Sequence, residues 1–304
     1  MKVIYENVEI KVQVSNCEII DNMGGKADSL AITFADIKNE CRKWGFKKNH
    51  VVEVIEEPFS TGKMYVDEFG CSAGAFNIKA LSVNKRIKTK YTRTWENIKF
   101  LSLINDLIKE EGLKLETYGT IEDYEYVRVD QIEKNNLEFL NERCILEGYN
   151  LKICNGKAII VSETFLQQQK ETLTLDPSKF IGKYNFYSTF QDIYSGCEIN
   201  YISKKLIKGK YILNQDGEVL KLKNIMVSSS YEADRFSKNI LKSYNKYETI
   251  GTFCIKKNTN IAAGVTVKIE DMDSFNGNYI IDRVYQDLIQ GKTKVKARKV
   301  LEEF

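Results

Sequence analysis

The stretch from Thr94 to Ser162 constrains the fold more than any other part of the chain. It runs helix, glycine, strand, strand, and then repeats that order. Helices are predicted over Trp95–Glu111 and Asn136–Glu147. Each ends in Glu-Gly and passes at once into a short apolar strand, Leu113–Leu115 or Leu151–Ile153. Trp95, Ile98, Leu101, Ile104 and Ile108 recur at helical spacing. Thr94 stands where an N-cap belongs and Gly112 where a left-handed C′ residue does. In the second run Asn135 or Asn136 is the cap, Leu137, Leu140 and Cys144 make the inner face, and Gly148 closes it. Asn155-Gly156, between Leu151–Cys154 and Lys157–Val161, is a strong two-residue hairpin signal. The motif is a scaffold with no chemistry in it, which argues against an enzyme.

The flanks read as β structure. Before the motif, Val8, Ile10, Val12 and Val14 alternate with polar residues, and Leu30, Ile32 and Phe34 share one face of Asp28–Phe34. Further strands are expected over Val51–Ile55, Gly62–Asp67 and Ser72–Val83, with Ala35–Lys48 a loop holding one helical turn. Short strands with turns at regular spacing suit a small barrel or sandwich. After the motif, strands are predicted over Cys197–Ile202, Gly209–Leu213, Glu248–Ile255, Val265–Ile269, Gly277–Gln286 and Lys292–Leu301. One helix interrupts them, Tyr231–Tyr247, with Ala233, Phe236, Ile240 and Tyr244 buried and Ser229 or Ser230 capping.

Composition bounds the partners. A chain of 304 residues has room for about two domains. Its 45 basic and 42 acidic residues leave a net charge of +3, without the basic excess of a nucleic-acid-binding domain. The longest basic run, Lys85–Arg93, alternates and reads as a strand with one solvated face. Seven cysteines form no Cys-x-x-Cys pair, several lie in apolar patterns, and reduced thiols in a cytosolic folding environment are expected. No signal peptide is expected, since Met1–Asn7 leads straight into a strand, and no apolar run approaches the ~20 residues of a membrane span.

Catalytic and ligand sets are hard to assemble from this sequence. His50 is the only histidine, so any triad must use it, and it reads as a solvated strand-edge residue. Asp271–Gly277 has a calcium-loop flavour, but Phe275 occupies a ligand position and the glycine comes one place late. Phe59–Lys63 carries Gly-Lys without the first glycine of a phosphate loop. Glu56-Glu57 and Glu110-Glu111 read as solvated turns and helix ends. The 17 tyrosines fit packing in a β-rich chain better than sugar or base stacking. No cofactor and no metal site are expected.

The order of the pieces carries more than any one of them. Ala27–Phe34, the helix ending at Gly112, Val127–Gln131, Asn135–Leu140 running into Glu147-Gly-Tyr149, Ile261–Val265, Gly277–Ile280 and Gly291–Thr293 stand in one sequence across nearly the whole chain. In that order they resemble the phage late-control protein D family, the baseplate hubs of contractile tails. The bias toward Lys, Asn and Ile suits a low-GC host, with relatives among phages, defective prophages and R-type bacteriocins.

The resemblance implies an α+β, mainly β fold. Two tube-forming β-barrel domains, residues 1–92 and 169–304 (the second with helix 231–247), flank a small α/β insert, residues 93–168. It further implies a non-enzymatic homotrimer whose pseudo-six-fold ring adapts a three-fold spike to the six-fold tail tube. Partners would be the tail-tube protein, a separate spike protein, the tape measure and other baseplate proteins. No membrane and no sequence-specific nucleic acid are expected. Assembly would occur in the bacterial cytoplasm, before incorporation into the virion or bacteriocin particle. The chain ends at Phe304 without an oligosaccharide-binding barrel, needle or lysozyme domain, so the spike is expected on another protein. For subunit contacts Ile32 and Phe34 are nominated as edge-strand candidates. The competing readings are a tail-borne cell-wall hydrolase and a glycan-binding tail-tip module.

Overall fold

The structure, a computed structural model, describes residues 1–301. Strands dominate. The N-terminal part contributes β1 (Lys2–Tyr5), β2 (Val8–Ile10), β3 (Val14–Asn22), β4 (Ser29–Ala35), β5 (Val51–Glu56), β6 (Phe59–Ser60), β7 (Met64–Ser72) and β8 (Ala75–Leu81). Alternation sets these strands. On β4, Leu30, Ile32 and Phe34 turn inward while Ala31 and Thr33 turn out, and β8 repeats this with Phe76, Ile78 and Ala80.

The central motif contains β9 (Tyr91–Lys99), α1 (Phe100–Glu110), β10 (Lys114–Tyr118), β11 (Glu125–Lys134), α2 (Asn136–Leu146), β12 (Tyr149–Cys154), β13 (Lys157–Ser162) and α3 (Glu163–Gln167). Its repeat is real, but the first helix begins later than the spacing predicts. Trp95–Lys99 is strand, paired with β11 through Trp95↔Val129 and Ile98↔Tyr126. Asn97 takes a left-handed φ of 51°, which re-phases the pleat so that Trp95 and Ile98 both reach the core. Thr94 is therefore no helix cap; its hydroxyl donates to Asp130 at 2.7 Å. Lys85–Arg93 is likewise not one strand, for Lys85–Lys88 form a 3-10 turn capped by the Asn84 side chain. The second helix follows its signal closely, with Asn135 and Glu138 forming a reciprocal capping box. Asn155 (φ 46°) and Gly156 (φ 68°) make the tight turn between β12 and β13.

The C-terminal part holds β14 (Leu173–Leu175), β15 (Asn185–Ser188), β16 (Gly196–Ile202), β17 (Leu206–Ile212), β18 (Val219–Leu222), α4 (Ser230–Asn245), β19 (Thr249–Lys256), β20 (Thr266–Ile269), β21 (Gly277–Asp287) and β22 (Lys292–Lys299). Helix α4, capped by Ser229, packs on β16 and β17 and against α2. Its residues Ala233, Phe236, Ile240 and Leu241 share one core with α1, α2 and β12. The close approach depends on Gly209 of β17, where a Cβ would lie 2.3 Å from Ala233.

Among the described residues the two outer β regions do not close into separate barrels. They merge into one open fourteen-stranded sheet, whose path runs β15-β19-β22-β21-β3-β4-β8-β7-β5-β1-β2. The join is the antiparallel pairing of β21 with β3, from Arg283↔Asn22 to Asp287↔Glu18. Separate apolar clusters fill the two halves: Ile32, Phe34, Val54 and Ile78 in one, Phe253, Val267, Ile281 and Val295 in the other.

Candidate functional site

The nominated chemistry residues have structural surroundings. His50 Nδ1 lies 3.0 Å from the Tyr5 hydroxyl, which also accepts the Lys47 backbone N–H. That contact ties the loop before β5 to β1. All seven cysteines are free thiols, and Cys17, Cys41, Cys144 and Cys197 are buried. Burial pushes the Cys17 thiol up to about 12 and those of Cys154 and Cys197 to about 11, so the reactive thiolate is scarce at neutral pH. Asp273–Phe275 is a 3-10 turn in which the Asn276 side chain caps the Met272 N–H. Among the described residues no cluster of three or more His, Cys, Asp or Glu could hold a metal ion. Among them also, no helix is long and apolar enough to cross a membrane.

Ile32 and Phe34 need correction as edge-strand residues. Strand β4 is paired on both sides, by β3 and β8, and the two side chains are 1% and 0% exposed in the chain's own core. Period-2 alternation marks a buried face, but it does not distinguish an edge strand from a central one.

The main path of the sheet ends at β2 and β15, while the short strands β6 and β14 branch from it with one partner each among the described residues. Among the described residues β2 pairs only with β1 and β15 only with β19, and so each offers an open row of backbone donors and acceptors. Both ends carry exposed apolar side chains: Val8 (67%) on β2, and Phe190 (89%) just beyond β15. Unpaired backbone beside exposed apolar surface is the physical description of an assembly edge.

The helical motif is bolted to the sheet where its halves join. On the N-terminal side Lys152 of β12 pairs with Asp21 of β3 and faces Asp28, whose carboxyl burial raises to about 7 although Lys152 opposes the rise. Ser82 bridges the Asp28 N–H and the Ile153 carbonyl at 2.9 Å each. On the C-terminal side Glu163, at the start of α3, meets Arg298 of β22 at 2.7 Å, and Arg298 also reaches Asp282 of β21 at 3.1 Å. Lys246, following α4, approaches Glu163 at 3.5 Å. Burial would raise the Glu163 carboxyl, but Arg298 and Lys246 outweigh it and bring it down to about 2. Between these clamps Arg283 donates to Asn22, and the Ala263 N–H donates to Asp21, at 2.8 and 2.7 Å.

The repeated Glu-Gly corners also differ from the solvated helix ends that composition suggests. Glu111 is buried and accepts from Asn136 at 2.8 Å. Glu147 is buried too, accepting the Tyr126 hydroxyl at 2.6 Å and Arg235 Nε at 2.8 Å. The sequence signal for them was the repetition itself: a carboxylate before each C′ glycine, at equivalent corners. Nothing in the sequence pointed to Arg298 or Glu163.

No protein-family model matches the chain, and no curated protein matches its sequence. Solved structures do match its fold. The 43 kDa tail protein of prophage MuSo2 from Shewanella oneidensis superposes with a TM-score of 0.74 at 11% identity, covering 98% of this chain and 97% of that one. A tail protein from Neisseria meningitidis MC58 gives 0.75 at 10% identity, over 98% and 95%. The E. coli c3393 protein, a component of the type VI secretion system, gives 0.68 at 10% identity, over 99% and 78%. These identities speak for shape alone. Along almost its whole length, the chain has the fold of phage tail proteins, the relatives that its resemblance to the late-control protein D family implies.

Proposed function

We propose that this protein is the structural hub of a contractile tail or related injection particle. It acts as a homotrimer, adapting a three-fold spike to the six-fold tail tube. The observation that carries the reading is the open sheet: two β regions, joined through β3 and β21, with both terminal strands free and apolar side chains at both ends. An open sheet whose main path has two free ends invites closure by copies of itself, and cyclic symmetry covers both ends at once. The units of the reading are residues 1–92 and 169–304 as tube segments and 93–168 as a peripheral insert, with helix 231–247 adding to the insert's core. The fold shared with prophage tail proteins and a type VI secretion component supports it.

The expected partners are the tail-tube protein above, a separate spike protein below, and tape-measure and baseplate proteins around them. The role needs no catalytic group. Co-expression with the neighbouring tail proteins, followed by native mass spectrometry and imaging of particles, tests it. Three copies per particle at the tube end are expected, and the change Val8→Lys with Phe190→Asp should leave a folded subunit outside the particle. A protein that stays monomeric with its partners present and is missing from the particle refutes the hub. A clear lytic band on a cell-wall zymogram would favour a hydrolase instead.

A further inference from the structure

Strand β22 carries a column of four cations at alternate positions, Lys292, Lys294, Lys296 and Arg298. Alternate residues of a strand lie ~6.7 Å apart and point to one face. At Arg298 that face is covered: the guanidinium is buried and answered by Glu163 from the helical insert and by Asp282. The other three are exposed. Lys294 and Lys296 have no ion pair with any described residue, and Lys292 reaches only the Gln290 side-chain oxygen, at 3.3 Å.

Neighbouring strands sharpen the charge instead of relieving it. Lys256 of β19 stands directly opposite Lys292, and Arg283 of β21 directly opposite Lys296. Opposed residues of an antiparallel pair are about 4.5–5.5 Å apart at Cα, and like charges so placed are destabilising. The acids on this face are Asp287, opposite Lys292, and Glu18, opposite Asp287. Both are engaged already: Asp287 accepts backbone N–H groups of the following turn, at Ile289 and Gln290, and Glu18 accepts from Asn16.

We infer that this cationic face docks an acidic polypeptide segment of a partner protein, extended and carrying Asp or Glu at alternate positions. Such a segment repeats its carboxylates every ~6.7 Å, the spacing of the lysine column. It would continue over Lys296, Lys294 and Lys292 the pairing that Glu163 supplies to Arg298. The inference does not depend on whether the subunit closes into a ring.

The test uses the full chain and fluorescence anisotropy with three labelled probes: a (Glu-Thr)6 peptide, its (Gln-Thr)6 counterpart, and a 12-nucleotide single-stranded DNA. The Glu peptide should bind, weaken as salt is raised, and lose about tenfold in affinity with K292Q/K294Q/K296Q, while the Gln peptide should not bind. All three lysines are exposed, so the variant should fold, and relief of like-charge opposition should leave its low-salt melting temperature equal to or above wild type. The single variant K294Q should fall between the two. Equal binding of the Glu and Gln peptides, or equal binding by wild type and triple variant, overturns the inference. Binding of the DNA tenfold tighter than the Glu peptide overturns it in favour of a nucleic-acid surface.

Discussion

The Glu163–Arg298 pair joins α3 to β22 across 135 positions, and Glu163→Gln tests it together with the Lys246 contact to the same carboxylate. A carboxyl held at about 2 against an ordinary 4.5 corresponds to a native-state preference for the charged form on the order of 3 kcal/mol. The side chain is almost wholly buried, so solvent screening removes little of that. The sign follows from the direction of the shift. Because the folded value is the lower one, the stabilisation is complete above about pH 4.5 and is lost as pH falls toward 2. Lys246 and Asp282 run the other way, since burial lowers the first and raises the second, which trims the total. Removing one member also leaves Arg298 with Asp282 alone, and breaking a buried pair from one side costs about 3–5 kcal/mol.

Glu163→Gln should therefore lower stability by about 3 kcal/mol at pH 7 in urea unfolding, or roughly 5–10 °C in thermal midpoint. At pH 3 the difference should shrink to about half or less, because wild type has lost most of the same term. Replacing the pair together, with Glu163→Leu and Arg298→Met, should cost more than Glu163→Gln alone, since buried Asp282 then loses its Arg298 partner as well as Lys246 its Glu163 one. A loss below 1 kcal/mol at pH 7, or one of equal size at pH 3, refutes the reasoning.

Two other consequences are accessible. Gly209→Ala would press a methyl against Ala233, 2.3 Å from the ideal Cβ. It should cost about 1–3 kcal/mol by overpacking and be partly relieved by Ala233→Gly; a neutral Gly209→Ala in urea titration contradicts the close approach of β17 and α4. A thiol-reactive reagent should modify Cys71 at once, while Cys17, Cys41, Cys144 and Cys197 wait for unfolding. Rapid native-state labelling of any of those four, read by mass spectrometry, contradicts the packing.

The two halves of the sheet and the helical motif illustrate where sequence reasoning holds. Asn155-Gly156, Asn135 with Glu138, Ser229, Gly112 and Gly148 take the turns, caps and left-handed positions that their types demand. Each of these depends on hydrogen bonds to residues a few positions away, so the local sequence is a complete description of the problem. Trp95 misled for the same reason in reverse. Its spacing to Ile98 fits a helix, and only pairing with Val129 and a left-handed Asn97 reveal a strand.

By itself, then, the sequence determined the mainly β composition, the order of elements, the caps and tight turns, and the family resemblance. Tertiary structure alone decided that the β regions merge through β3 and β21 instead of closing separately. It also decided that Ile32 and Phe34 are core on a central strand, and that helix α4 adds to the insert's core. Arg298 and three lysines look alike along β22, yet one is buried and paired while the others face outward. The physical reason is range: contacts such as Arg235 with Glu147 and Arg283 with Asn22 join residues 88 and 261 positions apart, and only the closed packing of the whole chain selects them.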